Sequence, residues 1–592
     1  MSSAPRTIPN DSRFDVAQFD ILSEGNVVSA ELEVMSITVS KEFNRIPTAK
    51  IVIRDGDSAE ANFQVSNEDF FLPGKKIVIK AGLDDQRVQL FKGIVVKQTI
   101  RVREQGNTDL IVECRDAAVR MSIGRHSHYY ENVKDSDVME TIIGRYSGLQ
   151  ADVEATSLQH RELVQHHSTD WDFLLARAEA NGRLVFADDG KIQIKKPDSG
   201  AEPVFQIEFG RGEVLELEAE MDARSQWKTV HARSWDYANQ RLFETQADSA
   251  GFQEGGNVSG ADLSDAAAPQ KLELQHSGNV AEEELNEWVK GSMLRSRLAK
   301  IRGRAKFSGH PDLKPGQTVV LDGVGNRFNG KAFVSAVRHE IYGGSWDTHV
   351  QFGLANDIFA HSPEFSDPPA SGLLPPIHGL QIGKVVQLQN DPEGQDRIQV
   401  RVPVIDNNAA GIWARVASLD AGSNRGAFFR PEIDDEVIVG FVNDDPRDAI
   451  VLGMLHSSAK PAPITALDVN HEKGFTTRSN MHLYFNDDTK TVKIDTPAGN
   501  SIVIDEQSMS IKITDQNKNT LTMNQQGVEL KSPKNITIQA GMVLTLSAGT
   551  TLSIGGANIS MSANGPLSME GATAKLSSPG ITELSGSLVK IN

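Results

Sequence analysis

The sequence predicts a mainly β protein in three parts: an α+β hub rich in strands, a small five-stranded barrel, and a C-terminal rod of short repeated strands. Three observations predict it. Short alternating runs bounded by Gly, Pro or Asp fill residues 13–365 with few helical interruptions, five more follow a Pro-rich break, and the end of the chain repeats itself every eight residues.

In the hub, residues 49–54, 76–80 and 94–100 read as strands. Helical periodicity predicts helices over 135–146, 169–181 and 281–300. The last carries Leu285, Trp288, Val289, Leu294, Leu298 and Ile301, with acids in its first turn and Arg and Lys in its last, as the helix dipole favours. Residues 246–275, rich in Ala, Gly, Ser, Asp and Gln, read as a long surface loop. The break at 362–376 contains Ser366-Asp367-Pro368-Pro369 and Leu373-Leu374-Pro375-Pro376, and sets a predicted domain boundary. The division is therefore 1–375 for the hub, 376–460 for the barrel and 461–592 for the rod. Barrel strands are predicted at 383–387, 397–402, 411–416, 436–442 and 449–454, a number and spacing that fit the oligonucleotide/oligosaccharide-binding (OB) type.

The rod is the most explicit stretch. Ile536, Leu544 and Leu552 form one column at spacing eight, and Ile538, Leu546 and Ile554 a second column two residues along. After Gly555-Gly556 the register slips by one and resumes with Ile559 and Leu567 beside Met561 and Met569. Residues two apart share a face of an extended strand, and the Gly, Ser, Thr and Asn between them favour turns. Eight residues supply roughly 26 Å of extended chain, enough for one face of a coil and too little for several. Neighbouring strands are thus expected from other chains. Three copies winding together give a triangular rod without unpaired edges, its core built from these ten side chains.

Composition narrows the function. The chain has 592 residues and a net charge of −19, most of it before the octads, which argues against general affinity for nucleic acid or an anionic membrane. Cys114 is the only cysteine, so neither a disulfide framework nor a Cys-based zinc site can form, and its strand-like surroundings predict a buried structural thiol. The N-terminal residues lack the apolar core of a signal peptide, and no run of 18 apolar residues occurs. The expectation is a cytoplasmic protein that leaves the cell only when a machine expels it.

No motif predicts catalysis, a cofactor or a metal. Gly325 to Gly330-Lys331 approaches a phosphate-binding loop, but Ala332 stands where a hydroxyl is needed and a strand follows, so a hairpin turn is expected. His126 and His128, with His160, His166 and His167, lack the Cys or carboxylate spacing of a metal site. The acid pairs Asp434-Asp435, Asp444-Asp445 and Asp487-Asp488 sit at turn-like positions, where Asp bonds its own backbone. Trp171, Trp288 and Trp413 read as packing residues. The barrel shows no exposed aromatics interleaved with basic residues, so it reads as a structural collar.

The order hub, barrel, rod resembles the VgrG family, the trimeric spikes of contractile injection machines related to phage tail hubs and needles. The resemblance rests on Phe71-Leu72-Pro73-Gly74, Leu90-Phe91-Lys92-Gly93, Ser168-Thr169-Asp170-Trp171-Asp172-Phe173-Leu174, Leu313-Lys314-Pro315-Gly316 and Val337-Arg338-His339 in the hub. In the barrel it rests on Trp413-Ala414-Arg415-Val416, Phe429-Arg430-Pro431-Glu432, Asp435-Glu436-Val437 and Asp444-Asp445-Pro446-Arg447. One departure is Asp434, where the family usually has Gly, and an altered turn is expected there. The resemblance implies two related hub barrels and a homotrimer of sixfold pseudo-symmetry seated on a hexameric inner tube among baseplate proteins. It also implies a PAAR-type tip protein on Leu588, Val589, Lys590, Ile591 and Asn592, and effector cargo or adaptors carried along. The target membrane would be met only by mechanical puncture. The chain ends directly after the last octad, so neither an appended toxin nor an inserted cell-wall hydrolase is expected. The alternatives are a polysaccharide hydrolase of a phage-type baseplate, needing two facing carboxylates in a pocket, and a trimeric adhesin fibre.

Overall fold

The computed structural model describes residues 6–8, 16–57, 59–83, 87–104, 108–198, 200–210, 214–266, 270–362 and 368–591. Contacts divide the chain into two units. One is the chain up to Gln381 with Ile412–Arg415 and Val439–Ile450, and the other is Ile382–Gly411, Val416–Ile438 and Val451 onward.

The hub is built on a fourteen-stranded sheet with two cores. Strand alternation fills the first with Ile21, Ile37, Ile51, Ile77, Phe91 and Val112, and the second with Phe205, Ile207, Phe307, Leu321, Val350 and Phe352. The two are joined where Gly330–Tyr342 pairs antiparallel with Val34–Glu42, from Ala336 opposite Glu42 to Tyr342 opposite Ser36. Both halves use the same Pro-Gly turn. Gly74 donates to the Val95 carbonyl and Val95 to the Lys75 carbonyl, while Gly316 donates to Val334 and Val334 to Gln317, all at 2.8–2.9 Å. Both glycines lie in the left-handed region, at φ +101° and +92°. Gly93 is required for a different reason: a Cβ there would stand 2.2 Å from the Arg115 carbonyl oxygen.

The predicted helices form as α1 (Asp135–Gly144), α2 (Asp170–Ala180) and α3 (Glu282–Leu298). Thr169 caps α2 by accepting from the Asp172 amide. Val138, Met139, Ile142 and Ile143 of α1 pack with Trp171, Leu174 and Leu175 of α2, and a polar cluster around Arg177 adds α3 to the pair. Arg177 donates to Asp135 at 2.6 Å and to Glu284 at 2.9 Å, while His160 and Asn181 complete the Asp135 carboxylate at 2.8 and 3.0 Å. Cys114 is buried, and burial pushes its thiol up to about 12. It is a packing residue, as expected.

Residues 246–275 differ from the expected loop. They contain the end of strand Arg241–Ala247, a short helix Gly260–Leu263 with a Ser259/Asp262 capping box, and most of strand Lys271–His276. The cause is a buried cation the local pattern does not reveal. Lys300 holds Glu254 at 2.7 Å and the Gly255 and Val258 carbonyls at 2.8 Å each, with Arg297 also against Glu254 at 3.2 Å.

The barrel closes in the order Gln381–Gln387, Ile398–Arg401, Ile412–Val416, Ala449–Met454, Glu436–Phe441. Val385, Ile398, Val400, Ala414, Val437, Val439 and Val451 fill it.

Candidate assembly surfaces

After the barrel, seven strands form an antiparallel meander: Glu472–Thr476, His482–Asn486, Thr491–Asp495, Ser501–Asp505, Ser510–Thr514, Thr520–Asn524 and Gly527–Lys531. Each pairs with its neighbour in the same chain, so this half of the rod region is one sheet of in-chain strands and not an intertwined coil. Its turns are set by side chains that bond their own backbone. Asp505 accepts from the Gln507 amide at 2.9 Å, Asp515 from Asn517 and Asn519 at 2.9 and 2.8 Å, and Asn486 from Thr489 at 3.0 Å.

The register lines up two apolar columns on one face. Phe475, Leu483, Ile494, Ile502, Ile513, Leu521 and Leu530 face one another across successive strands, and so do Phe485, Val492, Ile504, Ile511, Met523 and Val528. Tyr484, Lys493, Lys512, Thr522 and Glu529 fall on the other face. The apolar face stays open in the single chain, with Phe475, Ile494, Ile502 and Ile504 all above 40% exposed. Sequence analysis missed these columns, although the i, i+2 pairs that form them recur every nine or ten residues from Leu483 to Met523 and after seven at Val528.

The ten expected needle-core residues lie beyond this sheet. Ile536, Ile538, Leu544, Leu546, Leu552, Ile554, Ile559, Met561, Leu567 and Met569 are all exposed in the single chain, and none belongs to a described in-chain strand. Leu588, Val589, Lys590 and Ile591 are exposed as well, and Asn592 lies outside the described residues. No described contact brings these positions together within one copy.

The barrel carries a clamp for the first rod strand. Phe429 stacks on Phe475 with ring centroids 5.1 Å apart and planes at 11°, and Arg478 meets Glu432 at 2.8 Å. Phe428 beside it is 85% exposed, an aromatic the sequence reading did not anticipate. The neighbouring cations are already paired, Arg425 at 2.7 Å from Asp420 and Arg430 against Asp396, so the surroundings lack the free positive charge of a strand-binding groove. Asp434 adopts φ +69°, the conformation that favours Gly, and its carboxylate sits 2.9 Å from Lys384, which holds it below the usual carboxylate range.

The remaining sequence candidates resolve into structural roles. Gly325 to Lys331 is the hairpin between Thr318–Asp322 and Gly330–Tyr342. Asp445 is held by Arg447 at 2.6 Å and Asp487 by Lys473. His126 and His128 stack at 6.3 Å on one strand, and His160 bonds Asp135. Glu340, Asp347 and His349 come close enough to share an ion, but Lys306 and Tyr342 occupy Asp347 at 2.9 Å each, and Arg338 pairs with Glu340. Trp171 is buried, and Trp288 and Trp413 are half-buried.

Two family models match the chain: the Alg8 N-terminal domain over residues 13–343, and the type VI secretion system/phage-baseplate injector OB domain over 381–456. The type VI secretion system spike protein VgrG1b of Pseudomonas aeruginosa is 23% identical over 371 residues, 56% of this chain and 47% of that protein. The spike protein VgrG3 of Vibrio cholerae is 30% identical over 119 residues, 18% of this chain and 11% of that protein. The chain thus spans less than half the length of these curated relatives, and the expected resemblance to VgrG spikes is borne out by them. A tail protein from Neisseria meningitidis is similar in structure, with a TM-score of 0.43 and 13% identity over 58% of this chain and 98% of that one.

Proposed function

From the premise that this chain belongs to the Alg8 N-terminal domain family and carries an injector OB domain, we propose that it is the structural, non-enzymatic spike of a contractile injection machine and works as a homotrimer. The observation that carries this reading is the uncovered apolar face of the seven-stranded sheet, followed by octads whose aliphatic columns have no in-chain partner. Two further copies, each offering the same columns, supply a matching apolar surface for both. Residues 1–375 would seat on a hexameric inner tube among baseplate proteins, 376–460 would form a collar, and 461–592 the needle. Ile536 to Met569 would pack about the threefold axis, and Leu588 to Asn592 would receive a tip protein of the PAAR type. Effector cargo would travel with the spike, which would be assembled in the cytoplasm and expelled on firing.

A hydrolase needs two facing carboxylates, and the acid pairs singled out in the sequence are instead held at turns by Lys and Arg. Light scattering tests the trimer directly. A molar mass of about three times the 64.5 kDa chain mass is expected, and a stable monomer would overturn the reading.

A further inference from the structure

A cavity of about 370 Å³ opens in the hub between α2, α3, the strand Lys271–His276 and residues 354–361. Four consecutive residues of that strand border it: Leu272, Glu273, Leu274 and Gln275. Side chains of a strand alternate between its two faces, so four in a row can border one cavity only when the strand turns its backbone edge toward it. The strand is the outer member of a three-stranded sheet and pairs, in parallel, with Thr229–Asp236 on its other side. No backbone hydrogen bond joins its outward edge to another described residue.

The opposite wall is formed by Leu354, Asn356, Ile358, Ala360 and His361, the last two in the short 3-10 turn Phe359–His361. That wall is fixed in place. Arg295 donates to the Asp357 carbonyl at 2.5 Å and to Glu179 at 2.6 Å, and Glu179 accepts the Phe359 amide at 2.8 Å. Trp288, Leu294 and Leu298 make the lining mostly apolar. An adjoining cavity of about 260 Å³ shares Gly182, Gly291 and Leu294 with the first. There Lys196 and Lys290 stand 2.8 and 3.5 Å from the single carboxylate of Glu287, which leaves positive charge in excess.

We propose that this slot binds an extended segment of a partner protein, added as a further strand along Lys271–His276. Aliphatic side chains at alternate positions would enter the cavity, and an acidic residue would meet Lys196 and Lys290. An open strand edge supplies the main-chain hydrogen bonds of such recognition, a pocket for alternate side chains supplies its selectivity, and complementary charge fixes its direction. A small apolar molecule would use the walls and leave the edge unpaired. The proposal does not depend on the spike reading.

The test uses the full chain and a fluorescein-labelled peptide of about ten residues, Val alternating with Ser and ending in two Asp. Fluorescence anisotropy should show saturable binding, with slowed amide exchange confined to 271–276. A version with Pro at the central positions, unable to donate to the edge, should lose about tenfold or more in affinity, as should binding to Leu274→Arg. The exposed change Lys290→Glu spares the fold and should weaken the Asp-tailed peptide while favouring a Lys-tailed one. Absence of saturable binding, equal affinity for the Pro version, or indifference to the charge swap would each overturn the proposal. So would protection, in the free protein, of the outward-pointing amides of 271–276, those not already donated to Thr229–Asp236, which would assign that edge to another copy of the chain.

Discussion

His339 shows how one residue sets a pH limit on the hub. It lies buried beside Trp346, whose indole N–H donates to its Nδ1 at 3.4 Å, with the Thr348 hydroxyl at 3.1 Å. Burial, and secondarily the charges of Lys41, His310 and His349, push it down to about 3. An unfolded chain takes up that proton near the ordinary histidine value of about 6.5, whereas the folded hub refuses it until about 3. The stabilisation is therefore complete above about pH 6.5 and is lost as the pH falls toward 3. Calorimetry of the wild-type protein should show the hub midpoint falling between pH 7 and 5, as stability drops by about 1.4 kcal/mol per pH unit at most for one proton. The variant His339→Gln should flatten that dependence. An unchanged slope in the variant would mean that other groups govern it. Asp434 illustrates a residue matter of another kind, a non-Gly residue kept at positive φ where its carboxylate also gains Lys384.

At the scale of elements, the seven-stranded sheet makes the sharper prediction. Ile513 stands between Ile502 and Leu521 in one apolar column, and Lys512 beside it points the other way. In an isolated chain Ile513→Asp would cost little, because that face is open. In a trimer it would bury three carboxylates against apolar neighbours, at a cost of about 3 kcal/mol or more. Sedimentation and thermal melting should show Ile513→Asp dissociating or melting early, and Lys512→Ser leaving mass and midpoint as they were. If both variants behave alike, the apolar face is not the contact between copies. The octads were legible because a spacing of eight persists in a stretch almost free of charge. The meander was not, because its spacing varies between seven and ten and Lys493, Lys512 and Glu529 on the polar face break up the hydrophobic pattern. Helix limits and barrel strands were legible from local periodicity and caps. The pairing of Gly330–Tyr342 with Val34–Glu42, and the fixing of Glu254 by Lys300, join residues far apart in sequence, and local patterns hold no trace of them.

Across the whole molecule, charge and architecture change in the same region. From Ile536 onward the only charged side chains are Glu570, Lys575, Glu583 and Lys590, which cancel, so the entire net charge of −19 lies before that point. The meander ends just before it, at Lys531, and among the described residues strand pairing within the chain ends there too. The upstream sheet pairs its strands within the chain, and on the proposed trimer it would use other copies only to cover apolar side chains. On the proposed trimer the octads would draw on other copies for their backbone groups as well, since an unpaired strand edge is a liability that a lone chain of this composition has no charges to offset. Two truncations separate these dependencies. Removing 532–592 should leave the apolar face of the meander intact, and light scattering should still report a trimer. Removing 464–592 takes away both contacts and should weaken the assembly toward monomer while the hub and barrel stay folded. If the shorter truncation already yields monomer, association rests on the octads, and the meander follows them into register instead of leading.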